Sequence, residues 1–139
     1  MKYLLDTCVV SETTRAQPNQ GVMEWLRALD ERHLSLSVLT IGELEKGIER
    51  LHAGKRRTAL RVWLEELKSA YDQKVLDVTL PIAAEWGHMV AEAERRGETL
   101  AAIDGLIAAT ARIHELTLVT RNTADMRRTG ALLFDPWEA

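Results

Sequence analysis

Short apolar runs alternate with longer amphipathic stretches along this 139-residue chain, and the alternation limits the folds it can adopt. The short runs have the length and composition of buried strands. The longer stretches repeat apolar residues every three or four positions, as the buried face of a helix does. Strands that alternate with helices indicate a mainly parallel sheet with helices on both faces. No repeat or Gly/Ser/Pro-rich linker interrupts the pattern, so we predict one α/β domain over residues 1–139.

The same pattern predicts the position of each element along the chain. Five strands are expected, at 2–6, 34–38, 75–78, 116–120 and 131–134. Helices are expected between them, at 22–29, 41–51, 60–71, 82–97 and 101–114. The last helix contains mainly alanine and other small apolar residues, as expected for a helix packed closely against a sheet.

Composition excludes several classes of protein. The single cysteine, Cys8, cannot form an intramolecular disulfide, and no Cys/His cluster has zinc spacing, so we expect a reducing, cytoplasmic compartment. The N-terminal apolar run is short and ends at Asp6, which is typical of neither a signal peptide nor a membrane span. A net charge of −3 argues against a nonspecific DNA-coating protein but allows a nucleic-acid enzyme with a local basic surface.

Acidic and amide side chains follow the predicted strands where the chemistry of a parallel sheet is usually found. Asp6 ends the first strand, Glu43 lies early in the helix after the second, and Asp104 lies early in the alanine-rich helix. Asn122 and Asp125 follow the fourth strand. Carboxylates gathered at one edge repel one another unless a cation neutralises them, and hard oxygen ligands favour Mg²⁺ or Mn²⁺. Such a site is suited to phosphodiester hydrolysis.

Each of these residues taken alone also has a structural interpretation. Asp6 is equally well placed to cap the turn after its strand, and Glu43 has the position of a solvated helix residue. Asp125 has the position of a loop or helix-capping residue. Asp104 is different, because it interrupts a run of apolar and small residues, and a half-buried carboxylate needs a partner. The expected convergence of these residues is the argument for a site.

Four segments of the chain resemble, in order and spacing, the motifs of the PIN-domain ribonucleases. They are LLDTCVVSE at 4–12, LTIGELEKGI at 39–48, AAIDGLIAATA at 101–111 and LVTRNTADM at 118–126. The terminal FDPWEA is also similar to the bacterial toxin branch of the VapC and FitB type. The resemblance implies a three-layer α/β sandwich and a Mg²⁺- or Mn²⁺-dependent endoribonuclease, the toxin of a VapBC-type toxin–antitoxin pair.

The resemblance also implies roles for individual residues. Asp6, Glu43 and Asp104 match the three core acids of the family and are the expected metal ligands. At the fourth acidic position Asn122 stands where some relatives carry aspartate, and Asp125 offers a carboxylate one turn further on. Either Asn122 or Asp125 is expected to complete the site. Because Asn122 carries no charge, a second metal ion is expected to bind less firmly.

One departure from the family pattern concerns the residues around the acids. Cys8 stands where the family usually has asparagine, and a thiol is a poorer hydrogen-bond partner for a carboxylate than an amide. Thr7 and Thr120 are interpreted either as hydroxyls that serve the site or as ordinary strand-end residues. Four arginines are candidate phosphate contacts, namely Arg15, Arg121, Arg127 and Arg128. Arg15 and Arg121, nearest the motifs, are preferred, and the alternative is that these arginines are simply solvated.

The resemblance implies partners as well as an RNA substrate. A small antitoxin is expected to bind a groove on helices 22–29 and 41–51, formed by Trp25, Leu26, Ile48 and Leu51, although these residues could equally be core. A homodimer is implied, with a heterotetramer or larger complex when antitoxin is bound. The alternative function is a degenerate PIN domain that binds RNA or a protein partner without cleavage. A receiver domain is excluded because no lysine follows Lys74, and a haloacid-dehalogenase-type phosphatase because Cys8 replaces its second aspartate.

Overall fold

The computed structural model describes residues Met1–Ala139 and contains a five-stranded parallel sheet in the order β3-β2-β1-β4-β5. The strands are β1 (Tyr3–Leu5), β2 (Leu34–Ser37), β3 (Val75–Leu76), β4 (Thr117–Val119) and β5 (Leu133–Phe134). The α-helices are α1 (Thr7–Glu12), α2 (Gln20–Ala28), α3 (Val38–Glu49), α4 (Lys55–Ala70), α5 (Leu80–Arg95), α6 (Ala102–Ile113) and α7 (Thr123–Met126). Two 3₁₀ turns cover Glu31–His33 and Arg127–Thr129. The predicted α/β sandwich with a parallel central sheet is confirmed.

β1 lies at the centre of the sheet and is buried on both faces. Tyr3 is in register with Leu34 of β2 on one side and with Thr117 of β4 on the other. Because side chains alternate along a strand, Leu4 packs into the core under α5 and α6, and Leu5 into the core under α1 to α4. The two cores explain why the strand is continuously apolar, and they place its polar end, Asp6, at the carboxyl edge of the sheet.

Each face of the sheet has its own hydrophobic core. One core contains Ile82 and Met89 of α5 with Ile107 of α6. The other contains Val22 of α2 and Leu64 of α4. No helix is both long enough and apolar enough to cross a lipid bilayer.

The structure differs from the sequence prediction at several boundaries. α1 is a single short helix that the apolar pattern does not predict, and α4 begins at Lys55 rather than near position 60, because the basic run forms its exposed first turns. Val78 is exposed and lies outside β3. Of the two interpretations of the apolar residues on helices 22–29 and 41–51, Ile48 fits the core interpretation, because it is only 3% exposed. Trp25 likewise packs inward, with its ring centroid 5.2 Å from that of Tyr3.

α6 packs closely on α5 at Gly105, and this contact gives a stability prediction. A Cβ at position 105 would lie 3.0 Å from Cδ1 of Trp86, whereas a Cβ at Gly87 of α5 would meet nothing within 4 Å. Gly105→Ala is expected to lower the unfolding free energy by about 1–2 kcal/mol, because overpacking outweighs the better helix propensity of alanine. Gly87→Ala is the matched control and should gain up to about 1 kcal/mol. Urea unfolding of both variants measures the difference, and equal stability of the two would contradict this packing.

Candidate active site

Asp6 is held at the end of β1 by three neighbours. Its backbone N–H donates to the carbonyl of Val119, which continues the β1–β4 pairing. Its Oδ1 accepts a hydrogen bond of 2.8 Å from the backbone N–H of Thr7, so that Asp6 is the N-cap of α1. Its Oδ2 accepts a hydrogen bond of 2.8 Å from Oγ1 of Thr120, at the end of β4. Asp6 therefore caps the helix, as its structural interpretation predicted, and also has one oxygen oriented by Thr120.

Glu43 is connected to Asp6 through Thr7. The Thr7 hydroxyl donates to Oε1 of Glu43 over 2.6 Å and lies 3.1 Å from Oγ1 of Thr40. Glu43 and Thr40 both belong to α3, whose N-cap is Ser37 at the end of β2. Thr7 therefore links the carboxyl ends of two adjacent strands, which supports the first of its two interpretations.

Asp104 lies in the first turn of α6 and shares an electrostatic environment with the other acids. Burial raises the pKa of Asp104, and the negative charges of Asp6, Glu43 and Asp125 raise it further. Burial also raises the pKa of Asp6, and the charge of Glu43 adds to this effect, against the hydrogen bonds from Thr120 and Thr7. The charges of Asp6 and Glu43 act on Asp104, and the Thr7 hydrogen bonds join Asp6 to Glu43, so the structure places Asp6, Glu43 and Asp104 at the same edge of the sheet.

Asn122 and Asp125 occupy the outer side of this edge. The backbone N–H of Asn122 donates to Oγ1 of Thr120 over 3.0 Å, and its side chain is exposed. Asp125 is 61% exposed at its side chain and lies 4.0 Å from Nη2 of Arg128. Asp104 and Asp125 line the same cavity of about 210 Å³. We call this cavity the acidic cleft. Asn122 instead contacts Thr120 through its backbone N–H, and the Thr120 hydroxyl in turn donates to Asp6.

The donor set fits a hard divalent cation that is only partly enclosed by protein. All the acidic side chains offer carboxylate oxygens. Burial raises the pKa of Asp6 and of Asp104, and neighbouring carboxylates raise both pKa values further. No three His, Cys, Asp or Glu side chains are placed to hold a metal ion by themselves. Mg²⁺ commonly binds through one or two carboxylates and fills its other positions with water and substrate phosphate, so a closed protein cage is not required.

Cys8 lies beside the acidic cluster. Its Sγ is 3.9 Å from Oδ2 of Asp6 and 3.8 Å from Oγ1 of Thr120. Burial raises the pKa of the Cys8 thiol, and the charge of Asp6 raises it further, so the thiol stays protonated. The Asp6 carboxylate therefore receives its strongest side-chain hydrogen bond from Thr120 rather than from residue 8.

The two preferred arginines have different surroundings. Arg15 is 62% exposed at its side chain and lies 3.5 Å from the buried carboxylate of Glu12. The guanidinium of Arg121 lies 5.4 Å from the ring centroid of Trp137, in the C-terminal segment. Neither arginine is hydrogen-bonded to the acids of the cleft. Sequence reasoning did not single out Trp137 or Thr40, although both lie in segments that resemble the family motifs.

In metal-free protein, Asp104→Asn is expected to raise the melting temperature at pH 7. The folded state raises the pKa of Asp104 above 3.8, because burial and the charges of the neighbouring carboxylates disfavour its ionised form. The folded protein therefore binds this proton more tightly than the unfolded chain, and the wild type gains stability as the pH falls through the folded pKa. The advantage of the variant should consequently shrink towards pH 4. Thermal melts in EDTA from pH 7 to pH 4 measure it, and an advantage that grows on acidification would contradict the sign.

Comparison with known proteins agrees with this geometry. The chain matches the PIN domain family over residues 3–132. It is 38% identical to Toxin FitB of Neisseria gonorrhoeae (strain ATCC 700825 / FA 1090) over 135 residues, which are 96% of this chain and 97% of that protein. It is 36% identical to VapC ribonuclease Y4jK of Sinorhizobium fredii (strain NBRC 101917 / NGR234) over 136 residues, 97% of each.

The similarity extends to solved structures. The crystal structure of FitAcB from Neisseria gonorrhoeae superposes with a TM-score of 0.94 at 37% identity and covers 99% of both chains. A structure of FitAB bound to an IR36 DNA fragment gives a TM-score of 0.92 at 35% identity, over 97% of this chain and 95% of that one. With four family motifs at the carboxyl edge of one parallel sheet, these matches show that the chain belongs to the PIN domain family, with Toxin FitB and VapC ribonuclease Y4jK among its relatives.

Proposed function

We propose that this protein is a Mg²⁺- or Mn²⁺-dependent endoribonuclease and the toxin of a VapBC-type toxin–antitoxin pair. The observation that supports the proposal most strongly is the arrangement of Asp6, Glu43 and Asp104, in which burial and then neighbouring negative charge disfavour ionisation of Asp6 and Asp104 in the absence of a cation. The relatives named VapC ribonuclease and Toxin FitB support the activity and the toxin role.

Asp6 and Asp104 are the primary residues that would hold the cation, and Glu43 is a further ligand or orients water. A bound divalent cation would polarise the scissile phosphate and lower the pKa of an attacking water. Thr120 and the Thr7 backbone N–H each occupy one oxygen of Asp6, which restricts its rotation. The Thr7 hydroxyl occupies Oε1 of Glu43, so that Oε2 remains available to water. Asn122 or Asp125 completes the shell.

The phosphate contacts proposed for the RNA strand are Arg15 and Arg121. Both side chains are exposed, and Arg121 directly follows Thr120 at the carboxyl end of β4. Stacking on Trp137 limits the rotamers of Arg121, so less conformational entropy is lost when its guanidinium binds a phosphate.

A small antitoxin is the proposed protein partner. An apolar groove of about 290 Å³ lies between α2 and the C-terminal end of α4 and is lined by Met23, Leu26 and Tyr71 among others. This groove is the part of the predicted 22–29 surface that remains open, and we place the apolar segment of the antitoxin there. A homodimer, and a heterotetramer or larger complex with antitoxin, belong to the same proposal.

Cleavage of a mixed cellular RNA pool by purified, antitoxin-free protein tests the function. Cleavage is expected in Mg²⁺ or Mn²⁺ and should disappear in EDTA. Cleavage that persists in EDTA would contradict the metal-dependent mechanism. Absence of both cleavage and metal binding would favour the degenerate module that binds RNA or protein without cutting, since Cys8 and Asn122 depart from the family pattern.

A further inference from the structure

A second cavity adjoins the acidic cleft. It has a volume of about 260 Å³ and lies between α5, α6 and the 3₁₀ turn Arg127–Thr129. Arg128 and Thr129 line both this cavity and the one that contains Asp104. The second cavity has four arginines in its wall, which are Arg96, Arg112, Arg127 and Arg128.

Three of these arginines are held in place by backbone carbonyls. Nη1 of Arg112 donates to the carbonyl of Thr129 over 2.7 Å, and Nη2 of Arg96 to that of Arg128 over 2.9 Å. Nη1 of Arg128 donates to the carbonyl of Thr99 over 3.1 Å. Gly130 has a φ of +73°, and a Cβ there would lie 3.3 Å from Nη1 of Arg112, so the turn is shaped around the guanidinium. Arginines fixed in this way lose little entropy on binding an anion.

Acidic side chains neutralise this cavity only in part. The lining includes two carboxylates, and one of them, that of Glu85, lies 3.2 Å from Nη2 of Arg112. The other, Glu92, lies 3.9 Å from Nη1 of Arg96. Arg127 is exposed and has no carboxylate within ion-pair distance. Outside the lining, Glu98 lies 2.6 Å from Nε of Arg96 and 3.6 Å from Nε of Arg128, and Asp125 lies 4.0 Å from Nη2 of Arg128. Arg127 is therefore the one arginine of this cavity that no carboxylate neutralises.

We propose that this arginine-lined cavity binds phosphate groups of the RNA strand that flank the scissile phosphate. The inference rests on the proposed endoribonuclease function. An RNA strand approaching Asp104 is repelled by the acidic cleft, and the unpaired guanidinium of Arg127, in the adjoining cavity, offsets part of that repulsion. The planar fork of arginine matches the oxygens of a phosphate diester. Arg127, which has no competing carboxylate, makes the most salt-dependent of these contacts.

RNA binding by Arg127→Gln tests the proposal. Binding of a fluorescent single-stranded RNA is measured by anisotropy in Mg²⁺ across a series of NaCl concentrations, with Asp104→Asn in every protein to prevent cleavage. Arg127→Gln should weaken binding about 3- to 10-fold and reduce the slope of log K against log salt by about 0.7, the value for one phosphate contact. Arg127→Lys should retain the slope. Arg50→Gln is the matched control, because Arg50 is an exposed arginine at the end of α3, on the other face of the sheet. This control variant should change neither the RNA affinity nor the salt slope.

Several outcomes would overturn the proposal. Unchanged RNA affinity and salt slope in Arg127→Gln would exclude the cavity as a phosphate site. The proposed endoribonuclease function would be unaffected by that result if the wild type still cleaved RNA. An Arg127→Gln variant that binds RNA normally but binds antitoxin less tightly would make the cavity a protein interface instead. Absence of RNA binding in the parent, together with absence of cleavage by the wild type, would remove both proposals.

Discussion

Asp104→Asn is expected to reduce RNA cleavage by about 10²–10³-fold or more, because it removes a charge that the proposed cation needs at the reacting phosphate. Asparagine has nearly the same shape as aspartate, and the pKa of Asp104 shows that its charge is disfavoured in the metal-free fold. The variant should therefore remain folded. Initial rates of RNA cleavage in Mg²⁺, with circular dichroism of the same samples, measure the loss.

Asp77→Asn is the control for this substitution. Asp77 is exposed and directly follows β3, the outermost strand on the side of the sheet away from β4 and β5. Replacing it with asparagine changes the net charge of the protein by the same amount as Asp104→Asn does. We expect wild-type cleavage from this variant. If folded Asp104→Asn retained wild-type cleavage, or if Asp77→Asn lost as much, Asp104 would have no specific role.

Thr120→Val is expected to lower cleavage by about 10- to 100-fold, the usual effect of losing a residue that orients a metal ligand. Thr120 is fully buried, and its hydroxyl both donates to Oδ2 of Asp6 and accepts from the backbone N–H of Asn122. Valine fills the same volume but removes the hydrogen bond that each partner makes with this hydroxyl, which costs about 1–3 kcal/mol of stability. Loss of this hydrogen bond should raise the pKa of Asp6 further, so the pH profile of cleavage should shift upward.

Thr120→Ser separates the role of the hydroxyl from that of packing. Serine retains the donor and loses a methyl group, so cleavage should recover to within a few-fold of wild type even where the melting temperature does not. A serine variant as slow as the valine variant would show that Thr120 contributes packing alone. Kinetics and thermal melts of the two variants side by side provide this comparison.

Much of this fold follows from short-range pattern, because burial imposes the periodicity that the sequence displays. Leu4 and Leu5 are consecutive apolar residues because each faces a different core, and this is the signature of a central parallel strand. The pattern does not predict α1, because α1 is one short helix whose start depends on the Asp6 cap. The pattern leaves open whether Ile48 lies in a groove or in the core, because an apolar helical position has the same periodicity whether a second helix covers it or not.

The acids of the site were predictable and their connections were not. Asp6, Glu43 and Asp104 follow strands or begin helices, so topology alone places them at one edge. The Thr7 hydrogen bond to Glu43 joins residues 36 positions apart, and periodicity carries no information about such a bond. The carbonyl anchors of Arg96 and Arg112 likewise depend on the path of the turn before β5, which short-range pattern does not define.

Binding of Mn²⁺ tests most directly whether the acidic edge is a divalent-cation site. Electron paramagnetic resonance of free Mn²⁺ during titration gives the dissociation constant for the wild type, Asp104→Asn and Asp77→Asn without RNA. We expect at least one Mn²⁺ per wild-type chain, the same affinity in Asp77→Asn, and affinity at least about tenfold weaker in Asp104→Asn, because a ligand charge is lost. Equal Mn²⁺ affinity in the wild type and Asp104→Asn would contradict the assignment of this edge as the metal site.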